Sequence, residues 1–299
     1  PITLPPKTVK ELVEYAKGHP DKSTFSTTSP AFTLATELLK LKSGMPAVAL
    51  PVKSSAEMVQ CVSQENCLLA IVDSPPAVPQ VKEGRWKTEF FGVPEEPMGA
   101  QAFLIDTEPG KLLRPHFHTA DQFQIVVAGR GTLGRHEVGV GAIHYAQSFT
   151  PYGPIIAGKE GLSYLTLRNS YDPGASFVPE KRNLLKRDVK PFQVACNVSG
   201  VPGNGVPSGA SLERVEAISN SQGLGAWVFR LPPGASLLGP DPSGGRGQYY
   251  VPLRGSLLVE GEEMPESSCV FVAPGEQALK IQAGMSGVEG LAVQFAHPG

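Results

Sequence analysis

The stretch PGKLLRPHFHTADQFQIVVAGRG (109–131) and its echo PGASLLGPDPSGGRGQYYVPLRG (233–255) decide how this chain is read. Each opens on Pro-Gly, carries Leu-Leu close behind, and sets a Gln seven residues ahead of a Gly: Gln122 before Gly129, and Gln248 before Gly255. Farther on, AGKEGLSYLTLR (157–168) is matched by AGMSGVEGLAVQF (283–295). A repeat on this scale predicts two homologous β domains in one chain. Short apolar runs separated by Gly and Pro predict strands at 102–106, 124–128, 142–146 and 162–167. Further strands are predicted at 226–231, 248–253, 256–259, 270–273 and 290–295. Even spacing of this kind belongs to sandwiches and barrels.

The composition supports a globular chain. Of 299 residues, 41% are hydrophobic and 18% charged, too apolar and too weakly charged for disorder. The 33 glycines and 29 prolines follow no every-third-residue rule, which excludes collagen. They are unevenly spread, because residues 1–84 hold only Gly18, Gly44 and Gly84. A net charge of -2 without local basic blocks offers no field for a nucleic acid backbone. No apolar run reaches the roughly 20 residues that span a bilayer. Cys61, Cys67, Cys196 and Cys269 lack CxxC spacing and have apolar neighbours, so four free thiols are expected. Residues 1–14 mix Lys and Glu with prolines, without the apolar stretch of a signal peptide. Together these features make a cytoplasmic location the expectation.

The glycine-poor segment alternates helix and strand. Helices are expected at 8–17, 31–41 and 56–62, and strands at 23–28, 47–52 and 67–73. The runs LPPKTVKELVEYAKGHPDK (4–22), LATELLKLKSG (34–44), LPVKSSAEMVQ (50–60) and PPAVPQVKEGR (75–85) resemble part of one lobe of the periplasmic solute-binding proteins of tripartite tricarboxylate transporters. The resemblance implies a wall of a cleft for a small carboxylate, and the hydroxyls of residues 26–29 would sit where backbone N–H groups hold an anion. The plain reading of those hydroxyls is helix N-capping.

The chemistry-bearing constellation is His116-Phe117-His118, then Gln122, then Gly129. Residues two apart on a strand share a face, so both imidazoles are expected to project into one barrel interior. With the repeat, this pattern resembles the first motif of the cupin superfamily, and about 215 residues resemble a bicupin. The implied fold is mainly β: two cupin-type double-stranded β-helix (jelly-roll) barrels, at 85–183 and 184–299, preceded by a short α/β segment at 1–84. Cupins typically hold a divalent metal with two His, a Glu and a further His from PxGxxH. Here Gln122 stands at the Glu position, and Ile156 ends the second motif, Pro151-Tyr152-Gly153-Pro154-Ile155-Ile156. The resemblance therefore implies a metal set of His116, His118 and Gln122, with His144 as a replacement nitrogen. A neutral amide oxygen binds Fe, Mn, Ni or Zn less strongly than a carboxylate does. In the second repeat Asp241 and Ser243 fall opposite His116 and His118, so no metal ligands are expected there.

Two functions follow from the resemblance. One is a metal-dependent enzyme of dioxygenase, isomerase or decarboxylase type, acting on a small molecule in the first barrel. The other is a metal-free bicupin that binds or senses a small ligand, its N-terminal segment serving oligomerisation. Expected partners are a small-molecule ligand and further copies of the chain, with neither nucleic acid nor membrane.

Overall fold

In the computed structural model, the two strands that begin at the repeated glutamines, Gln122–Leu133 and Gln248–Val259, organise the β region. The structure describes residues 9–28, 30–53, 57–58, 61–62, 66–71, 84–92, 99–186, 188 and 190–297. Each organising strand pairs antiparallel with a long later strand, Ile155–Arg168 in one case and Lys280–Gln294 in the other. The registers repeat: Gln122 faces Arg168 and Gly129 faces Leu162, just as Gln248 faces Gln294 and Gly255 faces Val288. Both pairs carry a register shift just before the glycine. Gly129 and Gly255 both have φ +70°, and a Cβ there would lie 2.3 and 2.1 Å from the carbonyl oxygens of Gly161 and Gly287. Only glycine fits so close a backbone approach, which is why the repeat keeps it.

Among the described residues, the first sheet runs Gln193–Asn197, Ala142–Ala146, Gln122–Leu133, Ile155–Arg168, Gln101–Thr107, Arg85–Phe91. The second runs Ser211–Ser219, Gly225–Leu231, Lys280–Gln294, Gln248–Val259, Glu262–Met264. Short strands close each sheet into a jelly-roll barrel, as expected. The strands expected at 248–253 and 256–259 are one continuous strand.

Alternation along the strands sorts side chains between three cores. Val126, Leu133, Ile155, Leu162 and Tyr164 fill the first barrel, and Phe229, Tyr250, Leu257, Ile281 and Val288 the second. The opposite strand faces join in a third core, where Phe123, Ile125 and Leu165 meet Tyr249, Leu291 and Phe295. The Phe123 and Phe295 rings lie 5.0 Å apart, edge to face. Odd-numbered positions of 122–126 thus join the barrels, while Gln122, Gln124 and Val126 face inward.

Residues 1–80 form a separate compact unit. Three parallel strands lie in the order Val48–Pro51, Thr24–Thr27, Leu69–Ala70, and helices cover Val9–Gly18 and Pro30–Ser43. Phe25 is fully buried among Val13, Ala16, Met45 and Leu69. The Ser26 hydroxyl donates to the Met58 carbonyl at 3.0 Å, and Thr27 Oγ1 bonds Thr33 Oγ1 at 2.8 Å. Those two hydroxyls therefore serve the fold; Ser29, the last of the cluster, lies outside the described residues, as does most of 75–85. The expectation of four free thiols is corrected here. Cys61 and Cys67 form a disulfide, while Cys196 and Cys269 are free. Backbone bonds from the Asn66 and Cys67 N–H groups to the Cys61 carbonyl accompany a Cα separation of 5.2 Å, inside bridging range, which neither apolar neighbours nor the lack of CxxC spacing reveals. Among the described residues no helix is long and apolar enough to cross a membrane.

Candidate functional site

The first barrel gathers His116, His118, Gln122 and His144 around one side chain, Tyr152. A backbone bridge sets this up: His116 N–H donates to the Tyr152 carbonyl at 3.1 Å, and Tyr152 N–H returns to His116 at 2.9 Å. The Tyr152 ring centroid then lies 4.5 Å from His116, 6.2 Å from His118 and 4.9 Å from His144. All five side chains are buried.

Hydrogen bonds fix the tautomers. His116 Nδ1 lies 2.8 Å from the Arg114 carbonyl and so carries the proton, leaving Nε2 to accept from the Tyr152 hydroxyl at 2.8 Å. The Tyr152 oxygen in turn accepts from Gln122 Nε2 at 2.5 Å. Gln122 Oε1 accepts from Arg168 Nε and Nη2 at 3.2 and 3.1 Å. Arg168 Nη1 reaches Gln101 Oε1 at 2.7 Å. His118 Nδ1 donates to the Asp172 carboxylate at 2.8 Å, which also takes the Thr119 N–H and hydroxyl at 2.7 Å each. Arg168 Nη2 lies 2.9 Å from the same His118 nitrogen. We assign that proton to the Asp172 bond, because an anionic acceptor holds an N–H more strongly than a lone pair facing a cation would. His144 stands apart in its bonds. Its Nδ1 faces Gln124 Oε1 at 2.9 Å and its Nε2 faces Gln193 Oε1 at 3.2 Å.

Burial sets the charges. It lowers His116 to about 3, helped by the neighbouring His118, and lowers His118 to about 4, helped by the Arg168 charge. His144 falls to about 4 for the same reason, burial. Tyr152 is pushed far up by burial. Burial works to raise Asp172, but the His118 and Thr119 hydrogen bonds and the Arg168 charge outweigh it and hold the carboxyl below its usual range. At neutral pH the site is therefore three neutral imidazoles, a neutral phenol and one ion pair, Arg168 with Asp172 at 3.4 Å.

These residues do not fit a resident divalent metal. Among the described residues no three His, Cys, Asp or Glu side chains converge as a metal-binding group. Gln122 Oε1 is covered by the guanidinium, His116 Nε2 by the Tyr152 hydroxyl, and His144 by two amides. A buried Arg168 beside this set repels a second cation. Ile156, at the end of the second motif, lies 36% exposed, whereas Tyr152 from that motif points inward. On the His144 side, a mostly apolar cavity lined also by Gln124 and Tyr164 measures about 10 Å³, space for about one water.

Arg168 and Asp172 escape a search for metal motifs, since neither belongs to one. The available signal is a lone Arg ending the apolar run Tyr164–Leu167, in register with the inward Gln122, with an Asp four residues on. The matching strand positions of the second barrel hold neutral amides and hydroxyls. Gln248 Nε2 donates to Gln294 Oε1 at 2.7 Å, the Tyr250 hydroxyl donates to Gln248 Oε1 at 2.8 Å, and Asp241 caps a turn by accepting from Ser243 N–H at 2.9 Å.

Comparison with known proteins agrees with this two-part architecture. The tripartite tricarboxylate transporter family receptor matches residues 1–95. Dimethylsulfoniopropionate lyase DddW of Ruegeria pomeroyi is 31% identical over 90 residues, 29% of this chain and 59% of that protein. The UPF0065 protein in the gbd 5' region of Cupriavidus necator is 30% identical over 87 residues, 28% of this chain and 26% of its own. The chain thus spans less than two thirds of each of these curated relatives. Among solved structures, the 11S globulin of Wrightia tinctoria gives a TM-score of 0.52 at 14% identity, covering 74% of this chain and 82% of that one. Bacillus subtilis oxalate decarboxylase gives 0.51 at 14%, covering 74% and 76%. Coconut cocosin gives 0.51 at 13%, covering 74% and 84%. These are cupin-fold proteins, and at such identities the likeness concerns the fold alone.

Proposed function

We propose that this cupin-fold chain is a metal-independent small-ligand-binding protein and not an enzyme. One observation carries the reading: the Tyr152 hydroxyl and the Arg168 guanidinium take up the polar atoms of His116 and Gln122 that a cupin metal would need. Acid–base chemistry finds no support either. A general acid or base works best with a pKa near the operating pH, whereas His116, His118 and His144 lie at about 3, 4 and 4. The cavity on the His144 side, about 10 Å³, holds no more than about one water. The Cys61–Cys67 bridge favours residence in an oxidising compartment over the cytoplasmic location expected from sequence.

The test is metal analysis of untagged protein after incubation with Fe, Mn, Ni or Zn and removal of excess ion. We expect far less than one metal per chain. Stoichiometric metal that disappears in His116→Ala overturns the reading.

A second reading, a metal-dependent enzyme, draws on a specific feature. Nδ1–H donation by His116 to Arg114 and by His118 to Asp172 leaves Nε2 of each ring as the unprotonated nitrogen, as a ligating histidine requires. The 90-residue likeness to a lyase points the same way. Against it stand the Gln122 amide, without charge, and the cation capping it.

A further inference from the structure

Outside the filled interior, residues 133–136 and 193–195, with Gly153, frame a surface groove of about 300 Å³. That volume lies at the lower end of small-molecule sites. The ionisable side chains lining it are Arg135 and His136, both exposed, and no carboxylate lines it. None of the ion pairs among the described residues engages either one. Gly134 and Gly153 keep its wall bare. Both hold positive φ, +58° and +100°, and a Cβ on Gly134 would stand 3.6 Å from the Gly153 carbonyl oxygen. The groove reaches the histidine cluster through one side chain, Gln193, which faces it and lies 3.2 Å from His144 Nε2. A larger groove of about 760 Å³ lies along Arg130, Glu137 and Glu160, but its charges are mixed, and Arg130 is already 3.6 Å from Glu160.

We propose that the 133–136/193–195 groove binds a small organic anion, its carboxylate or phosphate held by the Arg135 guanidinium and the His136 imidazole. The guanidinium fork suits either oxyanion, and Gln193, held by its bonds to His144 and to the Pro151 carbonyl, has one amide N–H left for the inner wall. The inference deepens the ligand-binding reading and rests on it, since it names where and what the metal-free protein binds.

Calorimetric titration of the full chain with malonate and, separately, with inorganic phosphate tests it at low ionic strength, where surface charge is least screened. The expected result is saturable binding of at least one probe, and the preferred one identifies a carboxylate or a phosphate ligand. Arg135→Ala should weaken it roughly tenfold to a hundredfold, the effect of losing a charged hydrogen bond. Arg130→Ala should leave it unchanged. No saturable binding of either probe, or equal binding by Arg135→Ala, overturns the proposal. Metal content measured on the same sample separates the two ideas. Stoichiometric metal with Arg135-dependent binding overturns the metal-free reading alone, and metal-free protein without binding overturns the groove alone.

Discussion

The side-chain oxygen of Gln122 accepts two hydrogen bonds from Arg168, from Nε at 3.2 Å and from Nη2 at 3.1 Å. The corresponding strand positions of the second barrel hold Gln248 and Gln294, joined by a single hydrogen bond of 2.7 Å from Gln248 Nε2 to Gln294 Oε1. One backbone register thus carries a buried cation in one barrel and a neutral pair in the other. The cation's carboxylate partner, Asp172, comes from the chain just beyond the strand.

Arg168→Gln, which copies the second barrel, should destabilise the protein strongly. Removing one member of a buried ion pair strands the other, at a cost of about 3–5 kcal/mol. Arg168→Lys should not restore stability, because one ammonium cannot reach Gln101 and Gln122 with the geometry of a guanidinium. Urea denaturation at neutral pH measures both, and a wild-type midpoint for Arg168→Gln would contradict the assignment.

The triple variant Gln122→Glu/Tyr152→Phe/Arg168→Gln, which also frees His116 Nε2 from the Tyr152 hydroxyl, should acquire a divalent metal. It restores an anionic ligand beside two imidazoles and removes the repelling charge, a set suited to Zn²⁺. Gln122→Glu alone should stay metal-free, because the new carboxylate pairs with Arg168. Elemental analysis after loading with zinc distinguishes the two.

Stability should fall on acidification in two successive windows. His116, His118 and His144 lie at about 3, 4 and 4 when folded, against an ordinary 6.5. The unfolded chain therefore binds more protons from about pH 6.5 down to about pH 4, and down to about pH 3 for His116, so stability is full above that window and drains away as pH falls through it. Each histidine contributes at most roughly 3–5 kcal/mol. Asp172 is held below its usual range, so its contribution is present above the ordinary carboxylate value and is lost below it, in the same direction. Urea midpoints between about pH 7 and pH 4.5 should show the decline, with a shallower slope in His144→Gln; a flat profile would refute it.

Thiol titration of unfolded protein without reductant should find Cys196 and Cys269 only, and all four cysteines after reduction. Closing this short loop, of sequence separation 6, contributes about 2 kcal/mol by the chain-entropy relation. Cys61→Ser should therefore lower the melting point of the 1–80 unit, and four thiols before reduction would exclude the bridge.

The repeat, the barrels and the inward pair His116 and His118 were legible in the sequence because they depend on local rules. Strand alternation, turn glycines and motif spacing act over a few residues, and Gly129 and Gly255 recur because backbone contact admits no Cβ. The long-range partners were not legible. Tyr152 reaches His116 across 36 residues and Arg168 reaches Gln122 across 46, and nothing in the local pattern of either strand specifies that pairing.

By itself, then, the sequence determined two β barrels built on one repeated pattern, an α/β segment before them, and a histidine pair beside a neutral Gln122. Tertiary structure alone decided what that pair does. It folded a tyrosine and an arginine into the place where the resemblance implied a metal, because buried polar atoms must find partners and these two were the ones the strand register delivered.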